Sequence, residues 1–116
     1  MAENSLTINQ VIRLEDSGIS RAVFKSDSME PTIRGGDVIE VDHTNHKYSG
    51  DGIYCFAWSD RFGDALILRR VIRQVDGSYD LMNDNDLYPH QRLTEAELAQ
   101  WPMRGRVMRS YSASTH

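Results

Sequence analysis

The sequence predicts a mainly β fold, a compact and strongly bent antiparallel sheet, barrel-like, with one short helix. Three observations predict it. Apolar residues recur with the period of two that strands impose, from residue 38 to 82 and again from 104 to 111. Clusters rich in Gly, Asp and Asn punctuate these runs at short intervals. Only "LTEAELAQW" carries the start chemistry of a helix. Several short strands with turns between them build sandwiches and barrels rather than crossover folds.

The first patterned stretch is "LTINQVIRL". Ile8, Val11 and Ile12 would share a helical stripe, whereas Ile8, Gln10 and Ile12 alternate as in a strand, and both readings stand. Residues 1–21 are expected to form a loosely attached arm or linker remnant ahead of a domain spanning 22–116. "DVIEVDH" then places Ile39 and Val41 on one face of a strand. "GIYCFAW" is apolar on both faces and reads as a central strand, with Cys55 in the core. "DALILRRVIRQV" is a long β-rich run that ends at Asp76-Gly77, a hairpin signal. "SYDLM" returns from that turn, and "RGRVMRSY" is a further strand. The run from Asp84 to Asp86 lacks the frame of a calcium loop and reads as a turn. In the helix, Thr94 is the N-cap and Glu97 completes a capping box, with Leu93, Leu98 and Trp101 on the buried side.

Composition bounds the function. The chain has 116 residues, which favours one domain large enough for a core. No apolar run approaches the ~20 residues of a membrane span. The start lacks a secretory signal, and Cys55 is the only cysteine, so the expected compartment is the cytoplasm. Net charge is −4 and no basic block exists, so any DNA contact is expected through a separate segment. His43 and His46 find no third ligand at a metal spacing, and neither a metal nor a cofactor is expected.

The chemistry centres on "SDSMEPTIRGGD". Ser28 is either a hydroxyl capping the turn that Pro31 begins or a nucleophile. A serine nucleophile needs a neighbouring base, which can be a histidine held by a carboxylate, a desolvated lysine or a terminal amine. Lys25 and Lys47 are the only lysines, and neither lies in an apolar strand. His43, His46 and His90 sit in polar stretches.

"SMEPT" followed by "GGDVIEVD", "DGIY" and "LILRRVIR" resembles the LexA and phage-repressor self-cleaving domain family, which is related to UmuD. Type I signal peptidases share part of the pattern, but the short span between motifs and the missing anchor argue against that reading. The resemblance covers about residues 22 to 110 and implies a LexA-type peptidase fold. It implies that Ser28 holds the nucleophile position and that Gly36 and Asp37 are a structural pair, while Met29 and Pro31 of the motif, which ends at Thr32, read most simply as turn and packing residues. The family's base is a lysine in a later apolar strand, and that position falls here on Arg69 in "LRRV". An arginine, with a pKa above ~12, can donate to Ser28 but cannot take its proton. The implied function is therefore a dimerisation and regulatory domain of a prophage-type or LexA-like repressor, catalytically disabled. The alternative is an active, autoproteolytic serine peptidase using another base. The family's Ala-Gly or Cys-Gly cleavage dipeptide and its helix-turn-helix domain are not in this sequence, so the chain is either part of a longer repressor or a solitary domain. The resemblance further implies a homodimer through an edge strand at Arg106, Val107, Met108, Arg109, Ser110 and Tyr111, and it leaves room for a regulatory protein partner.

Overall fold

The structure is a computed structural model and describes residues 12–14 and 18–112. Among the described residues, eight strands form one antiparallel sheet: β1 (Ile12–Leu14), β2 (Ile19–Val23), β3 (Val38–Asp42), β4 (Gly52–Asp60), β5 (Gly63–Arg73), β6 (Tyr79–Met82), β7 (Gln91–Leu93) and β8 (Met103–Tyr111). Their order across the sheet is β1-β2-β3-β8-β4-β5-β6-β7, so the sheet is open, with β1 and β7 at opposite ends. A short helix, α1 (Glu95–Leu98), follows β7. The mainly β class and the short helix agree with the sequence pattern.

β4 explains why the core has two halves. Ile53 and Cys55 pack on one face with Ala22, Phe24, Met29, Ile33, Ile39, Val41, Leu66 and Leu68. Tyr54 and Phe56 pack on the other with Val71, Tyr79, Leu81, Leu93, Leu98 and Met103. A strand apolar on both faces must have cover on both, and here it lies between β8 and β5. Helix α1 caps the second half. Thr94 accepts from the Glu97 N–H, Glu97 reaches back to the Thr94 N–H, and Leu98 is buried beneath.

Strand pairing begins ahead of residue 22, since β2 pairs β1 on one side and β3 on the other. The stretch "LTINQVIRL" lies outside the described residues except for Ile12–Leu14. β2 alternates with Ser20 and Ala22 buried. Ser20 Oγ meets His43 Nε2, and His43 Nδ1 lies 2.8 Å from the carbonyl of Arg104, so a polar relay links β2 and β3 to β8. Where β8 crosses between β3 and β4, Gly105 is buried, and a Cβ there would sit 2.6 Å from Val41 Cγ1 and 2.8 Å from the Asp42 carbonyl oxygen. Only glycine allows that approach.

The resemblance implies an edge strand at Arg106 to Tyr111, and the first part of β8 is not one. It is interior, paired with β3 on one side and with β4 on the other from Met103 to Arg106. Beyond Arg106 the β4 ladder stops, and Val107 to Tyr111 keep β3 as their one strand neighbour among the described residues.

Candidate functional site

Ser28 is placed by a loop pinched shut at its base. Phe24 N–H donates to the Asp37 carbonyl at 2.8 Å and Gly36 N–H to the Phe24 carbonyl at 2.6 Å. Inside the loop, Glu30 N–H reaches the Asp27 carbonyl and Ile33 N–H the Met29 carbonyl. Met29 and Ile33 are fully buried and anchor this turn to the first core half. Ser28 precedes Met29 and is carried in with it, to 8% exposure. Pro31 and Thr32 are exposed at the far side, and the Glu30–Pro31 peptide is cis. Asp37 closes the loop: its carboxylate accepts from Arg34 N–H at 2.9 Å while its own N–H donates to the Arg34 carbonyl. Gly36 holds φ at 98°, the left-handed region where a side chain is strained.

A second loop, residues 83–90 after β6, is latched over the first. Arg70 grips Asp84 with two parallel hydrogen bonds of 2.7 Å each. Arg70, the largest influence, and then Thr32 hold the Asp84 carboxyl below its ordinary pKa, against some desolvation. Asn85 N–H donates to the Ser28 carbonyl at 3.0 Å, Asn85 Nδ2 donates to the Asp27 carbonyl at 3.0 Å, and Tyr88 hydroxyl donates to Asp27. The turn at Asp84–Asp86 is therefore a clasp on the Ser28 backbone. Asn83, Asn85 and Tyr88 were not legible as site residues, because their partners lie up to 61 residues away in the chain.

Between the two loops and β5 lies a cavity of about 130 Å³. Ser28, Arg69, Asn83 and Tyr88 supply its polar walls, and Phe24 and Ile67 apolar ones. The structure thus brings Ser28 and Arg69 to one cavity. Arg69 is partly buried and donates from one guanidinium nitrogen to the Leu68 carbonyl at 2.7 Å. Burial draws its pKa down from the ordinary arginine value, and no carboxylate is paired with it among the described residues. It still remains a cation at neutral pH. Neither Lys25 nor Lys47 lines the cavity, and both are exposed. His43 is engaged by Ser20 and the Arg104 carbonyl, His46 borders a separate hollow of about 420 Å³ on the other core half, and His90 is exposed.

The β8 residues play several parts. Arg106 donates to the Ser49 and Asp51 carbonyls at 2.9 Å each and lies 5.3 Å over the Tyr54 ring. Val107 packs against the first core half and Ser110 is half-buried. Arg109 and Tyr111 both reach Glu40, at 3.2 Å, and Met108 is 45% exposed.

A serine held on a buried turn and a basic residue of β5 thus line one cavity of an antiparallel β domain. The chain belongs to the Peptidase S24-like family, whose profile matches residues 3–108. Over 84 residues it is 32% identical to the 26 kDa repressor protein of Escherichia phage HK022, covering 72% of this chain and 34% of that one. The chain thus spans about a third of the length of the curated relative it matches. No solved structure matches. The family agrees with the resemblance read from the Ser28 and Arg69 motifs. Among the described residues, no helix is long and apolar enough to cross a membrane.

Proposed function

We propose that this chain is the regulatory and self-associating domain of a phage-type transcriptional repressor, acting in the cytoplasm, and that Ser28 no longer serves as a nucleophile. Arg69 carries the reading. A guanidinium stands in the Ser28 cavity where the scaffold needs a neutral amine, and no lysine or histidine shares that cavity. A serine hydroxyl without a proton acceptor is a poor nucleophile at neutral pH. The match to a phage repressor supports the regulatory role. The outer half of β8, with one strand neighbour and Met108 and Tyr111 exposed, supports pairing with a second copy about a two-fold axis. Such a dimer would set two DNA-binding segments, supplied outside the described domain, on a symmetric operator.

The test is fluorophosphonate labelling from neutral to alkaline pH, read by intact mass. Native protein is expected to stay unlabelled, Arg69→Lys to gain one adduct at Ser28, and Ser28→Ala in either background to gain none. An adduct at Ser28 of the native chain would overturn the proposal.

A further inference from the structure

We propose that the hollow of about 420 Å³ on the second core half is a receptor for a free aromatic α-amino acid whose ring carries an N–H or a hydroxyl. It shares no lining residue with the Ser28 cavity, so the inference stands apart from the reading of Ser28 as silent.

Three observations carry it. The first is a set of fixed aromatic walls. Tyr48 meets the Tyr79 ring edge-on at 5.1 Å, and its hydroxyl donates to Asp51 at 2.6 Å. Trp101 meets Phe56 edge-on at 5.3 Å. Leu98 and Met103, both buried, add apolar lining. These walls are held by contacts inside the protein, so the hollow is formed before any ligand arrives. Its volume is the room of roughly 14 waters at ~30 Å³ each. That lies at the lower end of the ~300–1,000 Å³ typical of small-molecule sites.

The second is a hydroxyl without a partner. Tyr79 is 5% exposed, and its hydroxyl makes no hydrogen bond among the described residues. Unlike Asn83 Oδ1, it is not sealed from solvent, and the hollow is the space that Tyr79 lines. It can accept from an indole N–H or exchange a bond with a phenol.

The third is the charge on the lining. Lys47 and His46 come from the loop after β3, and Glu95 begins α1. Neither Lys47 nor Glu95 is in an ion pair, with the other or with any described residue. An apolar ligand leaves both charges unanswered, a simple acid meets Glu95, and a simple amine meets Lys47. A zwitterion answers both, its carboxylate to Lys47 and its ammonium to Glu95. A free α-amino acid carries the two charges on one carbon, and an aromatic ring supplies the flat body that Tyr48, Tyr79 and Trp101 accept.

The experiment is an NMR titration of the native ¹⁵N-labelled chain with tryptophan and four analogues. Tryptamine lacks the carboxylate, indole-3-propionate lacks the ammonium, and alanine lacks the ring. N-acetyltryptophanamide lacks both charges and stands for a tryptophan inside a peptide. Tryptophan is expected to shift the Tyr48, Tyr79 and Trp101 signals to saturation. Tryptamine and indole-3-propionate should each bind about two- to fivefold more weakly, the range for solvent-exposed ion pairs. N-acetyltryptophanamide should bind more weakly still, and alanine should give no saturable shift. Binding of any analogue as tight as that of tryptophan, or no saturable response at these three residues, overturns the inference, and these comparisons need no variant. Lys47 and Glu95 are exposed, so their variants leave the core intact. Lys47→Gln is expected to abolish the preference for tryptophan over tryptamine, and Glu95→Gln the preference over indole-3-propionate. Tyr79→Phe, checked for folding by its amide spectrum, should weaken tryptophan about fivefold, the worth of one hydrogen bond. A preference that survives its variant, or unchanged binding by Tyr79→Phe, would also overturn it.

Discussion

Asp84→Ala should unlatch the loop that holds Ser28, and the size of the effect follows from how the pair is buried. Breaking a wholly buried ion pair by removing one partner costs about 3–5 kcal/mol, whereas an exposed pair contributes about 0–1 kcal/mol. Arg70 keeps 30% of its side chain accessible and Asp84 keeps 10%, and both hydrogen bonds are 2.7 Å. The loss therefore falls between those limits, at about 2 kcal/mol. At ~4–8 °C per kcal/mol for a domain near this size, Tm at pH 7 should fall by about 8–16 °C. The pH dependence gives a second readout. Asp84 has its carboxyl pKa lowered by Arg70, so its contribution is fully present above the unfolded value of 3.8. It declines as pH falls below that value and is gone once pH drops through the folded-state value. Native protein should thus lose stability on acidification more steeply than Asp84→Ala, and the two curves should converge at low pH. Thermal unfolding by circular dichroism across the acid range measures both. A Tm change at pH 7 below about 3 °C, or parallel pH curves, would refute the reasoning.

Three further outcomes are expected. Gly105→Ala should destabilise by about 1–3 kcal/mol in urea unfolding, and adding Val41→Ala should not restore the loss, because the Asp42 carbonyl oxygen still lies 2.8 Å from the new Cβ. Thr94→Ala should cost about 1 kcal/mol and speed hydrogen exchange at the Glu97 amide while leaving the Ser28 loop protected. Burial pushes the Cys55 thiol up to about 12, so iodoacetamide at mildly alkaline pH should alkylate it only in denaturant, and rapid native alkylation would contradict its placement.

What could be read from the sequence was local, and what could not was long-range. β4 shows both faces apolar, so its central place was legible. Thr94 and Glu97 sit three apart and meet each other, so the helix start was legible too. β2 escaped because one of its buried positions is polar: Ser20 is 2% exposed, and its partner His43 lies 23 residues on. An apolar period of two cannot register a core position filled by a hydroxyl. The pairing of β8 with β4 as far as Arg106 escaped for a related reason. Strand order is set by pairings such as Val41 with Val107, across a separation that no local pattern encodes.

Arg69 shows why chemistry can be legible where contacts are not. That a guanidinium cannot serve as a base follows from its identity alone. That it shares a cavity with Ser28, and that Asn83 and Tyr88 complete the walls, required the fold. The same geometry explains how such a substitution leaves the scaffold standing. Both core halves are built from other residues, and the loops around Ser28 are fixed by Met29, Ile33, Asp37, Asn85 and the Arg70–Asp84 pair. Arg69 contributes one bond to its neighbour's carbonyl. The fold therefore draws little on residue 69, and position 69 is free to change what the cavity does without changing whether the domain forms. If Arg69→Lys and Arg69→Gln both unfold near the native temperature while their cavity chemistry diverges, that division of labour between scaffold and site holds. A large loss of stability in both would mean that Arg69 belongs to the scaffold after all.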